Sequence, residues 1–281
     1  MKYLVFGHKG QLGREFCKEF EKNDIEYKGY DIDGIDIADT GQVLAAVASF
    51  KPNVIINCAA YNLVDAAETN TKAAFSVNAG AVKNIALAAN RIGAEIVHYG
   101  TDYVFDGTKG SPYVESDKPN PLNKYGESKR AGEIYLEETA ENFLLLRLSW
   151  VYGAGKQNFI YKLRQWAEKQ DKLEIADDEI SVPTSTETIV DITLAALKHN
   201  LKGLYHLTNS EYASRYEWAS EILKYLKIEK EIIPVSKDIF DLPAKRPGFS
   251  AMSNKKISTE LDISIPAWQD ALKDFISLNI A

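Results

Sequence analysis

The sequence has few of the features that mark secreted, membrane-spanning or nucleic-acid-binding chains. Its 281 residues include only two cysteines, Cys17 and Cys58, so neither a disulfide framework nor a zinc site is indicated, and we predict no metal ligands. It has no run of eighteen apolar residues and no signal-peptide pattern after Met1. The net charge is −7 without a block of like charges, which argues against nucleic acid or a membrane surface as partner. We expect a soluble, cytoplasmic protein that binds a small molecule or another protein.

What is present is an alternation of short apolar runs with longer segments of helical spacing. The apolar runs are 3–6, 54–60, 96–99, 143–148 and 204–207, and the helical segments include 11–22, 40–50, 72–92 and 125–139. Runs that are apolar on both faces and alternate with helices predict parallel strands covered on both sides. The predicted fold class is therefore α/β, with a Rossmann-type doubly wound parallel sheet.

The pattern changes after Trp150, where a glycine-containing loop and less regular elements follow. We predict an NAD(P)-binding domain over residues 1–150, to which about 184–208 return. The segments 151–183 and 209–281 would form a smaller, interleaved substrate-binding region.

A glycine loop, GHKGQLG, runs from Gly7 to Gly13 between the first strand and a helix. Glycines there allow a sharp turn and a close approach of backbone to a pyrophosphate, and the helix N-terminus offers free N–H groups to its oxygens. Alone, such a loop can be only a turn. Asp31, near the end of the second strand, can accept hydrogen bonds from an adenosine ribose, although it can also be a solvated turn residue. Together they predict NADH or NADPH as cofactor; the acid favours NADH, whereas Lys9 could partly neutralise a 2′-phosphate.

The stretch NKYGESK places Tyr125 and Lys129 on one face of a predicted helix. A hydride that leaves nicotinamide for a ketone creates an alkoxide, which needs a proton, and a phenol of ordinary pKa holds its proton firmly. We expect the ammonium of Lys129 to lower the pKa of Tyr125 toward neutrality. Thr101 follows the strand 95–99, where it could hold the carbonyl oxygen. Each has an ordinary alternative, an exposed helix pair or a hydroxyl that satisfies backbone.

Six segments, in this order, carry a resemblance to a known family: GHKGQLG, NCAAYNLVDAAE, HYGTDYVFDG, PLNKYGESKRAGE, LRLSWVYG and KRPGFS. They resemble the dTDP-4-dehydrorhamnose reductases, a branch of the extended short-chain dehydrogenases/reductases, over nearly the whole chain. The resemblance implies NAD(P)H-dependent reduction of the 4-keto group of a nucleotide-linked 6-deoxyhexulose, most directly dTDP-4-dehydro-L-rhamnose to dTDP-L-rhamnose, in cell-surface polysaccharide biosynthesis. Another nucleotide-sugar reductase or epimerase, or a non-catalytic NAD(P)-binding regulatory subunit, stays open as an alternative.

The resemblance also assigns roles to individual residues. It implies a catalytic triad of Thr101, Tyr125 and Lys129. The implied cofactor contacts are Gly7, Gly10, Gln11, Leu12, Asp31, Asp36 and Ile37, then Ala59, Ala60 and Tyr61 at the end of the fourth strand, with Tyr125 and Lys129. The implied substrate contacts are Thr101, Asp102, Tyr103, Trp150 and Arg246. Trp150 could equally be a core aromatic, and Arg246 an ordinary surface arginine.

The chain departs from the family pattern at Asn62, Gly100, Ser181 and the segment 248–252. Several of these positions touch the pocket that would recognise the sugar nucleotide, so the reaction type is better supported than the substrate. Asp102 is followed by Tyr103 rather than by the Glu usual in related dehydratases, which favours simple reduction. Some members carry magnesium at a dimer interface, to which Glu15 could belong, although a lone helix glutamate is usually solvated. A homodimer stays open.

Overall fold

A computed structural model describes residues 1–279 of the protein. The strands are β1 (Tyr3–Phe6), β2 (Tyr27–Tyr30), β3 (Val54–Asn57), β4 (Glu95–Thr101), β5 (Phe143–Leu148), β6 (Val151–Tyr152), β7 (Lys172–Ala176), β8 (Ile180–Ser181), β9 (Thr184–Ser185), β10 (Gly203–His206), β11 (Ala213–Ser214) and β12 (Glu231–Val235).

The α-helices are α1 (Gln11–Lys22), α2 (Thr40–Phe50), α3 (Val64–Thr69), α4 (Thr71–Phe75), α5 (Ala81–Asn90), α6 (Lys124–Thr139), α7 (Phe159–Lys169), α8 (Thr186–Lys198), α9 (Arg215–Leu226), α10 (Lys255–Leu261) and α11 (Trp268–Asn279). A π-helical turn, Ser76–Gly80, joins α4 to α5, and short 3₁₀ turns cover Asp102–Val104 and Lys237–Ile239. Within residues 1–279, no helix combines the length and hydropathy needed to cross a bilayer.

Six parallel strands form the central sheet in the order β2-β1-β3-β4-β5-β10. This is the doubly wound α/β sheet that the sequence predicted. The strand before Ala59 is the third in the chain rather than the fourth. Because the winding reverses between β1 and β3, a crevice opens there at the carboxyl ends of the strands, where such folds bind ligands.

The central strands are buried on both faces, as their apolar runs require. All four residues of β1, and all four of β3, are buried. One face packs on α1 and α8 through residues such as Phe16 and Ile189, and the other packs on α2 and α5 through Val43 and Ile85. The helices therefore hold the strand ends, and the loops that follow them, in fixed positions.

The chain after Trp150 builds a second core from small sheets and helices. The strands pair as β6 with β9, β7 with β12 and β8 with β11. Trp150, Tyr152 and Trp218 form the aromatic part of the core between α7, α9 and α11. The strand β10 returns to the central sheet beside β5, and Ile257 of α10 packs against the core of that sheet.

Candidate active site

A cavity of about 400 Å³ lies at the crevice between β1 and β3. Eight of the predicted cofactor residues line it: Gly7, Gly10, Asp31, Asp36, Ile37, Ala59, Ala60 and Tyr61. Gly7 has φ +77°, and a Cβ there would lie 2.6 Å from the amide nitrogen of Ala59. Only glycine lets the loops after β1 and β3 approach so closely.

The amino end of α1 is the polar edge of this cavity. Its N-cap residue is Gly10, and no side chain accepts a hydrogen bond from its first turn. Side chains cap the amino ends of α2, α6, α7, α8 and α9, whereas α3, α4, α5 and α10 lack such a cap, as α1 does. Uncapped N–H groups beside a cavity suit the oxygens of a pyrophosphate, so the residues present fit a dinucleotide.

Asp31 lies at the end of the cavity away from β3. One carboxylate oxygen accepts the amide N–H of Lys9 at 3.0 Å, and the other accepts that of Ile32 at 2.9 Å. The ammonium of Lys9 is paired with Asp33. The positive charge that could neutralise a 2′-phosphate is therefore already matched by a second carboxylate.

Two of the predicted cofactor residues have side chains that point elsewhere. Leu12 is buried in the core beside the sheet. The amide oxygen of Gln11 accepts hydrogen bonds from the backbone of Gly153 and from the side chain of Asn158, both at 3.1 Å. The backbone N–H groups of both residues lie at the start of α1. The side chain of Leu12 packs in the core, and that of Gln11 binds a segment that is remote in the sequence.

Asn78, which the sequence analysis did not single out, holds Tyr61 in place from the π-helical turn. Its side chain accepts the amide N–H of Tyr61 at 2.8 Å and donates to the carbonyl of Tyr61 and to Ser128, both at 2.9 Å. Single π-helical turns often occur at functional sites. The turn links the cavity to α6, and no pattern in the sequence could have predicted it.

Tyr125 and Thr101 meet where β4 ends and α6 begins. Asn123 caps α6, and Thr101 accepts the amide N–H of Tyr103 at 3.2 Å in the 3₁₀ turn after β4. The rings of Tyr103 and Tyr125 pack edge to face, with centroids 5.9 Å apart. Burial raises the pKa of Tyr125 to about 12, and a hydrogen bond with Thr101 acts in the opposite direction.

Lys129 is buried beneath this pair. Its ammonium donates to the carbonyl of Tyr99 at 2.6 Å, and burial lowers its pKa to about 8, against the opposing charge of Glu133. The sequence led us to expect a lowered pKa for Tyr125, and the structure gives the opposite direction. The physical reason is that loss of hydration around the phenol outweighs other influences while the ammonium is committed to a backbone oxygen.

Glu133 belongs to a buried network one turn beyond Lys129. Its carboxylate accepts two hydrogen bonds from Arg147, at 2.9 and 2.8 Å, and one from Arg130. A Cβ at Gly100 would lie 2.5 Å from this carboxylate. The departure from the family pattern at Gly100 therefore leaves room for the buried pair.

Asp102 is the centre of a second polar group, which we call the Asp102 cluster and which also contains Ser181 and Ser250. One carboxylate oxygen accepts from Ser181 at 2.8 Å and from Ser250 at 2.6 Å, and the other accepts from Thr101 at 3.3 Å. Burial raises the pKa of Asp102 to about 6. The sequence analysis noted the segments that carry both serines but did not predict that they meet.

Trp150, in the second core, has an unusual backbone conformation. Its φ is +40°, and its indole N–H has no hydrogen-bond partner within residues 1–279. The guanidinium of Arg215 lies 3.6 Å from the ring centroid and is paired with Glu179 at 3.3 Å. Cation–π contact and aromatic stacking on Trp218 hold this strained residue in place.

Arg246 is not a free surface arginine. It forms two hydrogen bonds with Asp65, at 3.0 and 2.7 Å, and also donates to the carbonyl of Ala244. This fork-shaped pairing ties the carboxyl-terminal segment to α3. Burial raises the pKa of Tyr103, and the charge of Arg246 acts in the opposite direction.

Glu15, which could have belonged to a metal site, forms an ion pair with a lysine instead. It is paired with Lys18 at 2.9 Å. Within residues 1–279, no group of three or more His, Cys, Asp or Glu side chains is arranged to hold a metal ion.

The doubly wound sheet, the glycine loop at its switch point and the Thr-Tyr-Lys constellation together define a Rossmann-fold protein of the extended short-chain dehydrogenase/reductase type. The model of one family, the RmlD substrate binding domain, matches residues 1–279. The chain belongs to this family, the dTDP-4-dehydrorhamnose reductases.

Individual relatives match over nearly their whole length. The chain is 34% identical to the spore coat polysaccharide biosynthesis protein SpsK of Bacillus subtilis, over 98% of this chain and 96% of that protein. It is 34% identical to the dTDP-4-dehydrorhamnose reductase of Burkholderia thailandensis, over 97% of each. A crystal structure of the Bacillus anthracis dTDP-4-dehydrorhamnose reductase in complex with NADP superposes with a TM-score of 0.96 at 30% identity, over 99% of both chains.

Proposed function

We propose that this protein is an NAD(P)H-dependent oxidoreductase that reduces the 4-keto group of a nucleotide-linked 6-deoxyhexulose. Within this class, the substrate is dTDP-4-dehydro-L-rhamnose and the product is dTDP-L-rhamnose, a precursor of cell-surface polysaccharide. Relatives of similar length carry the same reductase name, and one of them is known in complex with NADP. The relative from Bacillus subtilis is named for polysaccharide biosynthesis.

One observation carries the proposal. Thr101, Tyr125 and Lys129 lie together at the carboxyl end of β4, on the same edge of the sheet as the cavity at Gly7. A reductase needs a proton donor beside a dinucleotide site, and the fold brings both to one edge. The backbone at the start of α1 would hold the pyrophosphate, and Asp31 the adenosine ribose. The bound NAD(P)H would supply the hydride.

Tyr125 is the proposed proton donor. An alkoxide is a much stronger base than a phenolate, so proton transfer from Tyr125 is downhill even with a pKa of about 12. The Thr101 hydroxyl would orient the carbonyl oxygen and then stabilise the phenolate by a hydrogen bond. Because the site is buried, both contacts are stronger than they would be in water.

Lys129 supports this step through its charge. With a pKa of about 8 it remains largely protonated at neutral pH, and Glu133 favours the charged form. An ammonium near the phenol stabilises the phenolate that proton transfer leaves behind. Its bond to Tyr99 fixes its position, so little reorganisation is needed when the charge develops.

The remaining assignments follow from this proposal. Substrate contacts would come from both regions: Asp102, Tyr103 and Trp150 from the domain of residues 1–150 and 184–208, and Arg246 from the substrate-binding region of residues 151–183 and 209–281. Either NADH or NADPH would serve as cofactor. Since Lys9 is paired with Asp33, and Asp31 is present, we favour NADH. A cytoplasmic location fits a nucleotide-sugar substrate.

The test is a turnover assay with purified protein, NADH or NADPH, and 4-keto-6-deoxy sugars linked to dTDP, GDP, UDP or CDP. We expect nicotinamide absorbance to fall fastest with the dTDP-linked 4-keto sugar. Product analysis should find dTDP-L-rhamnose. Cofactor binding without turnover of any of these sugars would refute the reductase and favour a binding subunit.

A further inference from the structure

The segment Gly153–Asn158, which follows β6, is anchored to the glycine loop by side chains. The amide oxygen of Gln11 accepts one hydrogen bond from the backbone of Gly153 and one from Asn158, both at 3.1 Å. Gly153 is about 140 residues from Gln11 in the chain, so this contact exists only in the folded protein. It joins the two loops at the edge of the cofactor cavity.

Asn158 organises the segment from within. Its side chain is buried, with 5% exposure, and its amide also donates to the carbonyls of Gly153 at 2.7 Å and Gly155 at 3.3 Å. Its side-chain oxygen accepts the amide N–H of Tyr161 at 2.9 Å and so caps α7. One side chain therefore sets the loop, the start of α7 and the link to Gln11.

The tip of the segment reaches the cavity. Residues 154–157 are exposed, whereas Gly153 and Asn158 at the two ends are buried. Gln157 lines the same cavity as Gly7, Gly10 and Asp31. Lys156 precedes Gln157 in the chain, so the tip that reaches the cavity carries a positive charge. A cation and free N–H groups near one cavity suit a diphosphate.

We infer that the segment Gly153–Asn158 is a second cofactor-binding element, which contacts the dinucleotide near its diphosphate and is positioned by Asn158 through Gln11. This inference rests on the proposed function. Asn158 is a positioning residue, because it acts through Gln11 and the loop. The Gln11 side chain binds the segment Gly153–Asn158, while its backbone N–H lies at the start of α1, where the diphosphate would bind.

The decisive variant is Asn158→Asp. The aspartate keeps the oxygen that caps α7. Its second oxygen replaces the donating amide nitrogen and faces three acceptor oxygens, those of Gln11, Gly153 and Gly155. We expect the Kd for NADH and for NADPH, measured by isothermal titration calorimetry without sugar substrate, to rise at least about ten-fold, because several hydrogen bonds are lost together. Asn90→Asp is the matched control: Asn90 also donates to a backbone carbonyl, that of Thr139, and accepts from the amide of Glu141, away from the cavity. Its Kd values should equal those of the wild type.

Limited proteolysis gives a readout that does not depend on turnover. Trypsin cleaves after lysine, and the peptide bond after Lys156 lies in the exposed tip. Saturating NADH or NADPH should slow cleavage there in the wild type and in Asn90→Asp, but not in Asn158→Asp. A merely structural role for Asn158 would lower Tm and leave both Kd and protection unchanged, which would overturn the inference.

A second variant keeps the test valid if Asn158→Asp does not fold. Gln11→Met preserves the backbone N–H groups of α1 and removes only the accepting side chain. It should raise the Kd for both cofactors and abolish protection of Lys156, and an unchanged Kd with intact protection would refute the inference. If the wild type binds neither NADH nor NADPH, the proposed function itself fails, whereas equal binding by wild type and variants refutes only this inference.

Discussion

Two regions of the molecule, the cofactor side around the cavity and the paired side around the Asp102 cluster, satisfy their polar groups differently. On the cofactor side, around Gly7, Gly10 and Asp31, the cavity is bounded by backbone and short side chains, and the first turn of α1 is left uncapped. On the paired side, the carboxylate of Asp102 already accepts hydrogen bonds from Ser181 and Ser250. The cofactor side therefore offers free donors to a ligand, while the paired side is an internally bonded framework that shapes the site.

The difference also appears in sequence separation. Gly7, Gly10 and the start of α1 lie within a few residues of one another, so a local motif describes them. Asp102 and Ser250 are 148 positions apart, and Asp65 and Arg246 are 181 apart. Mutations on the cofactor side should change ligand affinity, with or without a loss of stability, whereas those on the paired side should change stability and its dependence on pH.

Tyr125→Phe, at the boundary between the two sides, should have the largest effect. It removes the proposed proton donor and keeps the ring that packs on Tyr103. We expect kcat to fall at least ~10²-fold, the usual scale for loss of a general acid, while the Kd for NAD(P)H stays largely intact. Steady-state kinetics and calorimetry measure the two quantities; wild-type turnover by this variant would contradict the mechanism.

Asp102→Asn tests the paired side through the pH dependence of its unfolding free energy. The folded pKa of Asp102 is raised to about 6 by burial, so the folded state holds a proton that the unfolded state releases between about pH 4 and 6. Stability of the wild type should thus fall as pH rises through this window, by about 3 kcal/mol from this group alone. The variant lacks this titration, so the difference in unfolding free energy between the two proteins should change with pH.

Urea unfolding of both proteins at pH 4 and pH 7 measures that difference. A constant gap between wild type and Asp102→Asn across the window would mean that the carboxyl group is not held protonated by its surroundings. The paired side would then resemble the cofactor side in having no buried carboxyl group whose titration affects stability.

Gly13→Ala tests the cofactor side by steric means. A Cβ at Gly13 would lie 2.2 Å from the carbonyl oxygen of Gly7, so the loop must shift. We expect a loss of stability of about 1–3 kcal/mol, as for other overpacked sites, and weaker binding of NAD(P)H. Gly34→Ala is the matched control, since its nearest contact would be 3.6 Å, and it should behave as wild type in thermal unfolding and titration.

Asp31→Ala should have the smallest effect. Loss of the carboxylate removes a partner for the adenosine ribose and relieves repulsion of a 2′-phosphate, so NADH should weaken more than NADPH, by a few-fold (~3- to 10-fold). Paired titrations with the two cofactors measure the ratio. If NADPH weakened more, Asp31 would not be the ribose partner.

Much of the cofactor side could be predicted from the sequence. The glycine spacing, the apolar runs and the position of Asp31 depend on local steric and hydrogen-bond requirements, and the parallel sheet was predicted correctly. The role of Gln11 could not, because its partners Gly153 and Asn158 lie far along the chain. The pKa of Tyr125 was expected in the wrong direction, since a spacing of four residues reveals a nearby lysine but not the burial of the phenol.

Short segments of sequence were enough to predict the doubly wound sheet, the glycine turn and the position of Tyr125 and Lys129 on one helix face, because each follows from the period and sterics of such a segment. The partners of the buried charges emerge only in the folded protein, which pairs Asp102 with two serines, Arg215 with Glu179, Arg246 with Asp65 and Lys129 with the carbonyl of Tyr99. The physical reason is that pairing and loss of hydration depend on distances between remote segments, which packing sets only when the chain folds.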